Sequence, residues 1–265
     1  MSACLEARAV SFAYAADAAV LNGVDLQLHR AEVCALLGPN GVGKTTLLRL
    51  LLGLLRPTSG EIMFEGKRLT GMPIRERALR IAYVPQEAMP RFPMTVFEAV
   101  LLGRKPHMRW GPSKDDLSRT AIVLERMELE SLAQKPVANL SGGQRQKVAL
   151  ARAFVQGTDW IMLDEPVSNL DLRHQLEVLQ LVRDAADNNN IGVLLSLHDI
   201  NLAARYAHKV ALLRKSEHGS CVVAHGKPHE VLTAERISHT YGVVMQTYHS
   251  TCSESPLWFP SSLQA

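Results

Sequence analysis

Apolar and polar residues alternate with a period of two over Ala7 to Tyr14 and Val20 to Leu28, which predicts two half-buried strands. Glu32 to Leu37 is almost continuously apolar, the pattern of a central strand covered on both faces. A Gly-rich loop follows. The period then changes to that of a helix from about Lys44 to Gly53, closed off by Pro57. Ser59-Gly60 reads as a turn, Glu61 to Phe64 as a strand and Glu65-Gly66 as a tight turn. A strand at Ile81 to Val84 gives way, after Pro85-Gln86, to a helical stretch. Helix-period apolar residues run through Thr95 to Leu102, through Lys114 to Met127 behind a Ser113 N-cap, and through Gly142 to Val155 behind Ser141. The β pattern returns at Trp160 to Leu163. A helix is expected over Arg173 to Ala186, a loop at Asn188-Asn189-Asn190, and strands at Ile191 to Leu197 and Val210 to Leu213. Strand, helix, strand in this rhythm predicts an α/β fold around a mostly parallel sheet, with a helical subdomain inserted at about 87–157. Residues 1–242 read as one domain, and residues 243–265, which carry no motif, as a C-terminal tail.

The loop after the buried strand reads Gly38-Pro39-Asn40-Gly41-Val42-Gly43-Lys44-Thr45, a G-x-x-x-x-G-K-T phosphate loop with the required strand before it and helix after it. Glycines let several backbone N–H groups point inward, and the helix N-terminus adds partial positive charge. Lys44 is expected to reach the β- and γ-phosphates of a nucleoside triphosphate, and the Thr45 hydroxyl to ligate Mg²⁺.

Ile161-Met162-Leu163 ends in two acids, Asp164 and Glu165, at the carboxyl edge of a strand, where α/β proteins bind ligands. Asp164 is expected to hold Mg²⁺ through its water shell, and Glu165 to orient the water that attacks the γ-phosphate. Two further polar residues follow strand ends. His198 is placed to contact the transferring phosphoryl group, and Gln86 to touch Mg²⁺ or the attacking water.

Composition sets the frame. The chain has 265 residues, 47% of them hydrophobic, and a net charge of +3, an ordinary globular balance that points neither to nucleic acid nor to an anionic membrane surface. Cys4, Cys34, Cys221 and Cys252 are too scattered for a metal knuckle or redox pair and suit a reducing compartment. His225 and His229 lie in a Gly/Pro-containing stretch without partner cysteines and read as solvated or capping residues. The most apolar run, Thr46 to Leu55, is broken by Arg49 and falls far short of the ~18 residues of a membrane span. No basic segment followed by an apolar run opens the chain, so secretion is not expected.

Leu140-Ser141-Gly142-Gly143-Gln144 resembles the signature motif of the ATP-binding-cassette (ABC) ATPases, and it stands between phosphate loop and acid pair in that family's order. Tyr14 resembles the aromatic residue that stacks on adenine, Gln86 the Q-loop glutamine, Ser168-Asn169-Leu170-Asp171 the D-loop, and His198 the switch histidine. The resemblance spans about residues 5–242. It implies a P-loop NTPase fold with an antiparallel N-terminal β portion, and ATP and Mg²⁺ as substrate and cofactor. Nucleotide contacts are implied at Tyr14, the loop residues Gly38, Pro39, Asn40, Gly41, Gly43, Lys44 and Thr45, and Thr46, with Ser141, Gly142, Gly143, Gln144 and Asp171 contributing to the site. In this family the signature turn binds the γ-phosphate held by a second copy, so a homodimer sandwiching two ATP molecules is implied. Ala31 stands where glycine is usual, Val167 where threonine is common, and Asn169 where a small residue is usual; none is a catalytic group.

Phe92 to Val96, Leu102 to His107, His198 to Ala203 and Gly226 to Gly242 resemble the importer ATPases for iron–siderophore complexes, heme and vitamin B12. An iron chelate of the siderophore type is the expected cargo, with heme or B12 as alternatives. The resemblance also implies an integral-membrane permease dimer as partner, a periplasmic or surface substrate-binding protein reached through it, no nucleic acid, and a place on the cytoplasmic face of the cell membrane. Residues 87–110 are expected to form the groove for the permease's coupling helix; for Phe92, Phe97 and Trp110 a place in the subdomain core is an equal reading. A soluble ABC protein of translation or DNA repair, or a nucleotide sensor without turnover, fits less well. The first usually carries two cassettes or a long coiled coil, and the second would not need the complete set Lys44, Thr45, Asp164, Glu165 and His198.

Overall fold

The structure is a computed structural model that describes residues 4–15, 18–86, 93–168, 170–248 and 256–263. Its contacts divide the chain into two compact units, residues 1–71 with 182–265, and residues 72–181.

The first unit is built on a sheet. Strands β1 (Cys4–Ala13) and β2 (Ala19–His29) form an antiparallel pair, and β1 also pairs antiparallel with β4 (Ser59–Phe64), which carries the short β5 (Lys67–Arg68). The parallel part centres on β3 (Val33–Leu37), flanked by β8 (Gly192–Ser196) and β9 (Lys209–Ser216). Strand β10 (Gly219–Gly226) returns antiparallel along β9, giving the order β5-β4-β1-β2-β10-β9-β3-β8 in this unit. All five residues of β3 and all five of β8 are buried, as two-sided strands require. Helix α1 (Lys44–Leu51) packs its Leu47, Leu48, Leu50 and Leu51 into this core. Helices α7 (Ile200–Tyr206), α8 (Pro228–Val231) and α9 (Ala234–Tyr241) complete the unit, with a small antiparallel sheet of β11 (Val243–Tyr248) and β12 (Leu257–Leu263). Trp258 of β12 is buried, and its backbone N–H and C=O are clamped by the Asn201 side chain of α7 at 2.9 and 3.2 Å.

The second unit holds α2 (Ile74–Arg80), the parallel pair β6 (Ile81–Val84) and β7 (Trp160–Leu163), and helices α3 (Val96–Leu101), α4 (Lys114–Arg126) and α5 (Gly142–Val155). Most of the helix α6 (Leu172–Asn189) also lies in it. Capping boxes open α3, α4 and α5 at Thr95/Glu98, Ser113/Asp116 and Ser141/Gln144, each serine or threonine hydroxyl accepting from the backbone three residues on. Arg104 and Asp116 form a buried ion pair at 2.8 Å, with Arg104 also donating to the carbonyls of Val155 and Gln156.

Several local expectations are revised. Ser59-Gly60 belongs to β4; Gly60 keeps φ +77 there because a Cβ would strike the carbonyls of Arg8 and Ala9. Asn188 and Asn189 continue α6, and Asn190 alone ends it with φ +55, a left-handed conformation that asparagine tolerates. Asn169, Phe92 and Cys252 lie outside the described residues. Cys4, Cys34 and Cys221 are free thiols. No helix among the described residues is long and apolar enough to cross a membrane.

Candidate functional site

The phosphate loop leaves β3 and enters α1 directly. Gly38 adopts φ +148, and a Cβ there would lie 2.6 Å from the Leu213 carbonyl oxygen; Gly43 takes φ +97 against Leu21. These turns expose Asn40 and Gly41 while Lys44 is buried, its ammonium donating to the carbonyls of Gly38 at 2.8 Å and Pro39 at 3.1 Å. The lysine is thereby folded over the concave side of the loop, where a phosphate chain is bound in such cradles. Thr45 and Thr46 follow in the first turn of α1, and the Thr46 hydroxyl lies 3.3 Å from that of Tyr14. The Tyr14 and Phe12 rings stand perpendicular with centroids 4.8 Å apart, and Tyr14 stays 60% exposed. His198 follows β8, exposed, one residue before Asp199, which caps α7 by accepting from the Leu202 N–H.

In the second unit β6 and β7 end side by side. Asp164 is buried, and its N–H donates to the Val84 carbonyl at 2.9 Å, which fixes its backbone at the strand tip. Glu165 takes φ +48, a left-handed backbone costing on the order of 1–3 kcal/mol in a residue with a side chain, as functional sites often do. Its Oε2 accepts from the Gln86 amide at 2.6 Å, so the Q-loop glutamine and the acid meet. Asp164 and Gln86 of this unit, and separately Thr45 of the first, each offer an oxygen donor, the hard kind that suits Mg²⁺. Among the described residues no cluster of three or more His, Cys, Asp or Glu could hold a metal alone.

The signature turn is the exposed N-terminus of α5. Ser141 Oγ accepts from the Gln144 N–H at 3.2 Å, and the Gln144 side chain accepts from the Ser141 N–H at 3.1 Å. Asp171 opens α6, accepting from the His174 N–H at 3.0 Å and from its ring Nδ1 at 2.8 Å, which hold its carboxyl below the usual carboxylate range. His174 carries no sequence motif, yet its ring lies over Gly143; a Cβ on Gly143 would come within 3.2 Å of it. Tyr241 is a second residue the motifs do not reveal. Burial pushes its phenol up to about 12, and the Gly38 amide faces the hydroxyl without completing a hydrogen bond. Neither residue has a sequence signal, because each acts through packing across elements distant in the chain.

A parallel β core, a glycine cradle with a buried lysine, and a strand ending in Asp-Glu define a P-loop NTPase. The chain belongs to the ABC transporter family, whose pattern matches residues 21–168, and it is an ABC ATPase. It is 39% identical over 247 residues to a hemin import ATP-binding protein of Myxococcus xanthus, covering 91% of each chain. The inward-facing structure of a metal-chelate type ABC transporter superposes with a TM-score of 0.84 at 31% identity, over 98% of both chains. A dimeric ATP-binding cassette bound to ADP and Pi superposes with a TM-score of 0.74 at 26% identity, over 84% of this chain and 98% of that one.

Proposed function

We propose that this chain is the ATP-hydrolysing motor of an importer for a ferric chelate of the siderophore type, acting as a homodimer against the cytoplasmic face of a membrane permease. The observation that carries the motor reading is the pairing of Gln86 with Glu165 at the tips of β6 and β7. It aims a carboxylate, held in a strained backbone, at the work of orienting water.

Gly38 to Thr45 bind the triphosphate, Lys44 neutralises its outer phosphates, and Tyr14 stacks on the base. Thr45, Asp164 and Gln86 would hold Mg²⁺, which would supply charge neutralisation when bound. Glu165 accepts a hydrogen bond from the attacking water, and His198 contacts the γ-phosphate. The Ser141 hydroxyl and the N–H groups of Gly142 and Gly143 face the nucleotide of the second copy, with Gln144 bracing the turn through the Ser141 N–H and Asp171 the neighbouring loop. ATP binding then favours the closed dimer because its γ-phosphate contacts both copies only there.

The groove for the permease is supported by Trp110, which is fully exposed (102%) rather than in the subdomain core, and by Ile74 at 77% exposure. They line an open groove of about 810 Å³ with the apolar Met108 and the basic Arg75, Lys105 and Arg109. An amphipathic helix of the permease with acidic flanks fits such a groove. Phe97 is half-buried on α3.

The metal-chelate transporter supports the cargo class. Heme is the second reading, favoured by the hemin import relative. A strain lacking this chain is expected to lose uptake of a ⁵⁵Fe-labelled siderophore, with growth on hemin and on B12 retained. Loss of growth on hemin alone would move the cargo to heme, and normal use of every chelate would refute the importer reading.

A further inference from the structure

The first turns of α5 and α6 lie side by side in one register. On α5, Gly143 is followed four residues later by Lys147; on α6, His174 is followed three residues later by Glu177. The lower rung of this ladder is the Lys147–Glu177 ion pair at 2.9 Å, half-shielded from solvent. The upper rung is the His174 ring, which fills the space that a Cβ on Gly143 would point into. The ring itself is fixed from behind by Asp171, which accepts from both its Nδ1 and its backbone N–H. The loop before α6 is stapled by Gln175, whose side chain donates to the carbonyls of Leu170 at 3.0 Å and Val167 at 3.3 Å. The position of the ring is therefore specified by hydrogen bonds on one side and by a glycine that leaves room for it on the other.

We propose that His174 is a positioning residue for the signature turn, a strut that transmits the position of Asp171 to the N–H groups of Gly142 and Gly143. The inference rests on the reading of that turn as the phosphate contact for a second copy's nucleotide. A strut has a physical reason to exist here. The turn is an exposed helix N-terminus with glycine at two successive positions, so its own backbone is the most pliable part of α5. A planar ring against Gly143 restricts that freedom, and a pre-set turn loses less entropy when it closes on phosphate. A side chain at position 143 would press its Cβ to 3.2 Å from the ring, so the ring would have to give by a few tenths of an ångström.

The test uses the full chain carrying Glu165→Gln, with and without His174→Ala, followed by sedimentation velocity in saturating Mg-ATP. Binding of a fluorescent ATP analogue at protein concentrations too low for dimers serves as the second readout. His174→Ala is expected to weaken the ATP-dependent dimer about tenfold, in the range of coupling energies between contacting residues, while the monomer binds the analogue within about twofold of its parent. Asp171→Ala combined with His174→Ala should weaken it no further than the stronger single variant, as members of one strut behave. An unchanged dimer constant would overturn the proposal. So would an equal loss in both readouts, which marks a general packing role. Ser141→Arg serves as the control: a normal dimer in that variant would sink the signature-turn reading itself, a failure distinct from that of His174.

Discussion

At the scale of single residues, the site rests on a few positions whose chemistry cannot be exchanged. Lys44→Ala removes the ammonium folded over the phosphate loop, and ATP affinity should fall about a hundredfold or more in an equilibrium binding assay, as expected for loss of a charge-assisted contact. Retained affinity would mean the triphosphate binds elsewhere. Gly38→Ala places a methyl group 2.6 Å from the Leu213 carbonyl oxygen, at a φ of +148, and is expected to lower both the melting temperature and ATP binding. The residue scale also shows what motifs encode. Gly38, Lys44, Asp164 and Glu165 were legible because phosphate chemistry demands fixed spacings. His174 and Tyr241 were not, since their roles come from contacts with Gly143 and Gly38 that only the fold creates. Ala31 is instructive in between. It adopts φ +60, which explains the glycine usual at that position, and here the chain accepts the strain of a methyl group.

At the scale of elements, helices announced themselves through their caps. Ser113 and Ser141 were readable as N-caps, and both form full capping boxes. Strand β10 and the β11–β12 sheet were not readable. β10 mixes small, polar and apolar residues without alternation, and β12 contains Pro260, which weakens any strand signal. Asp116 shows how one cap also serves the packing. Its carboxylate accepts from the Ser113 N–H and hydroxyl and from Arg104, and these bonds draw its pKa down to about 2. Because the folded value lies below the unfolded value of ~3.9, its contribution is complete above about pH 4–5 and is lost as pH falls through about 2. Asp116→Asn should flatten that part of the acid-unfolding curve. Arg104→Ala leaves a buried carboxylate unpaired and should cost about 3–5 kcal/mol in a denaturant titration. A loss under about 1 kcal/mol would show that the pair is solvated in solution.

At the scale of the whole molecule, the features fit a part rather than a complete machine. An exposed tryptophan in a groove lined by basic residues is what a membrane partner would cover, and Trp110→Ala is expected to reduce co-purification of the permease about tenfold, as central aromatic anchors do. The signature turn points the same way: its exposed N–H groups, on the reading proposed above, take the nucleotide of a second copy. The most direct measurement is the molar mass of the Glu165→Gln chain by sedimentation with and without Mg-ATP. Monomer alone, dimer with ATP, and return to monomer on adding Ser141→Arg is the expected result. A mass indifferent to ATP, or a dimer indifferent to Ser141→Arg, would contradict it.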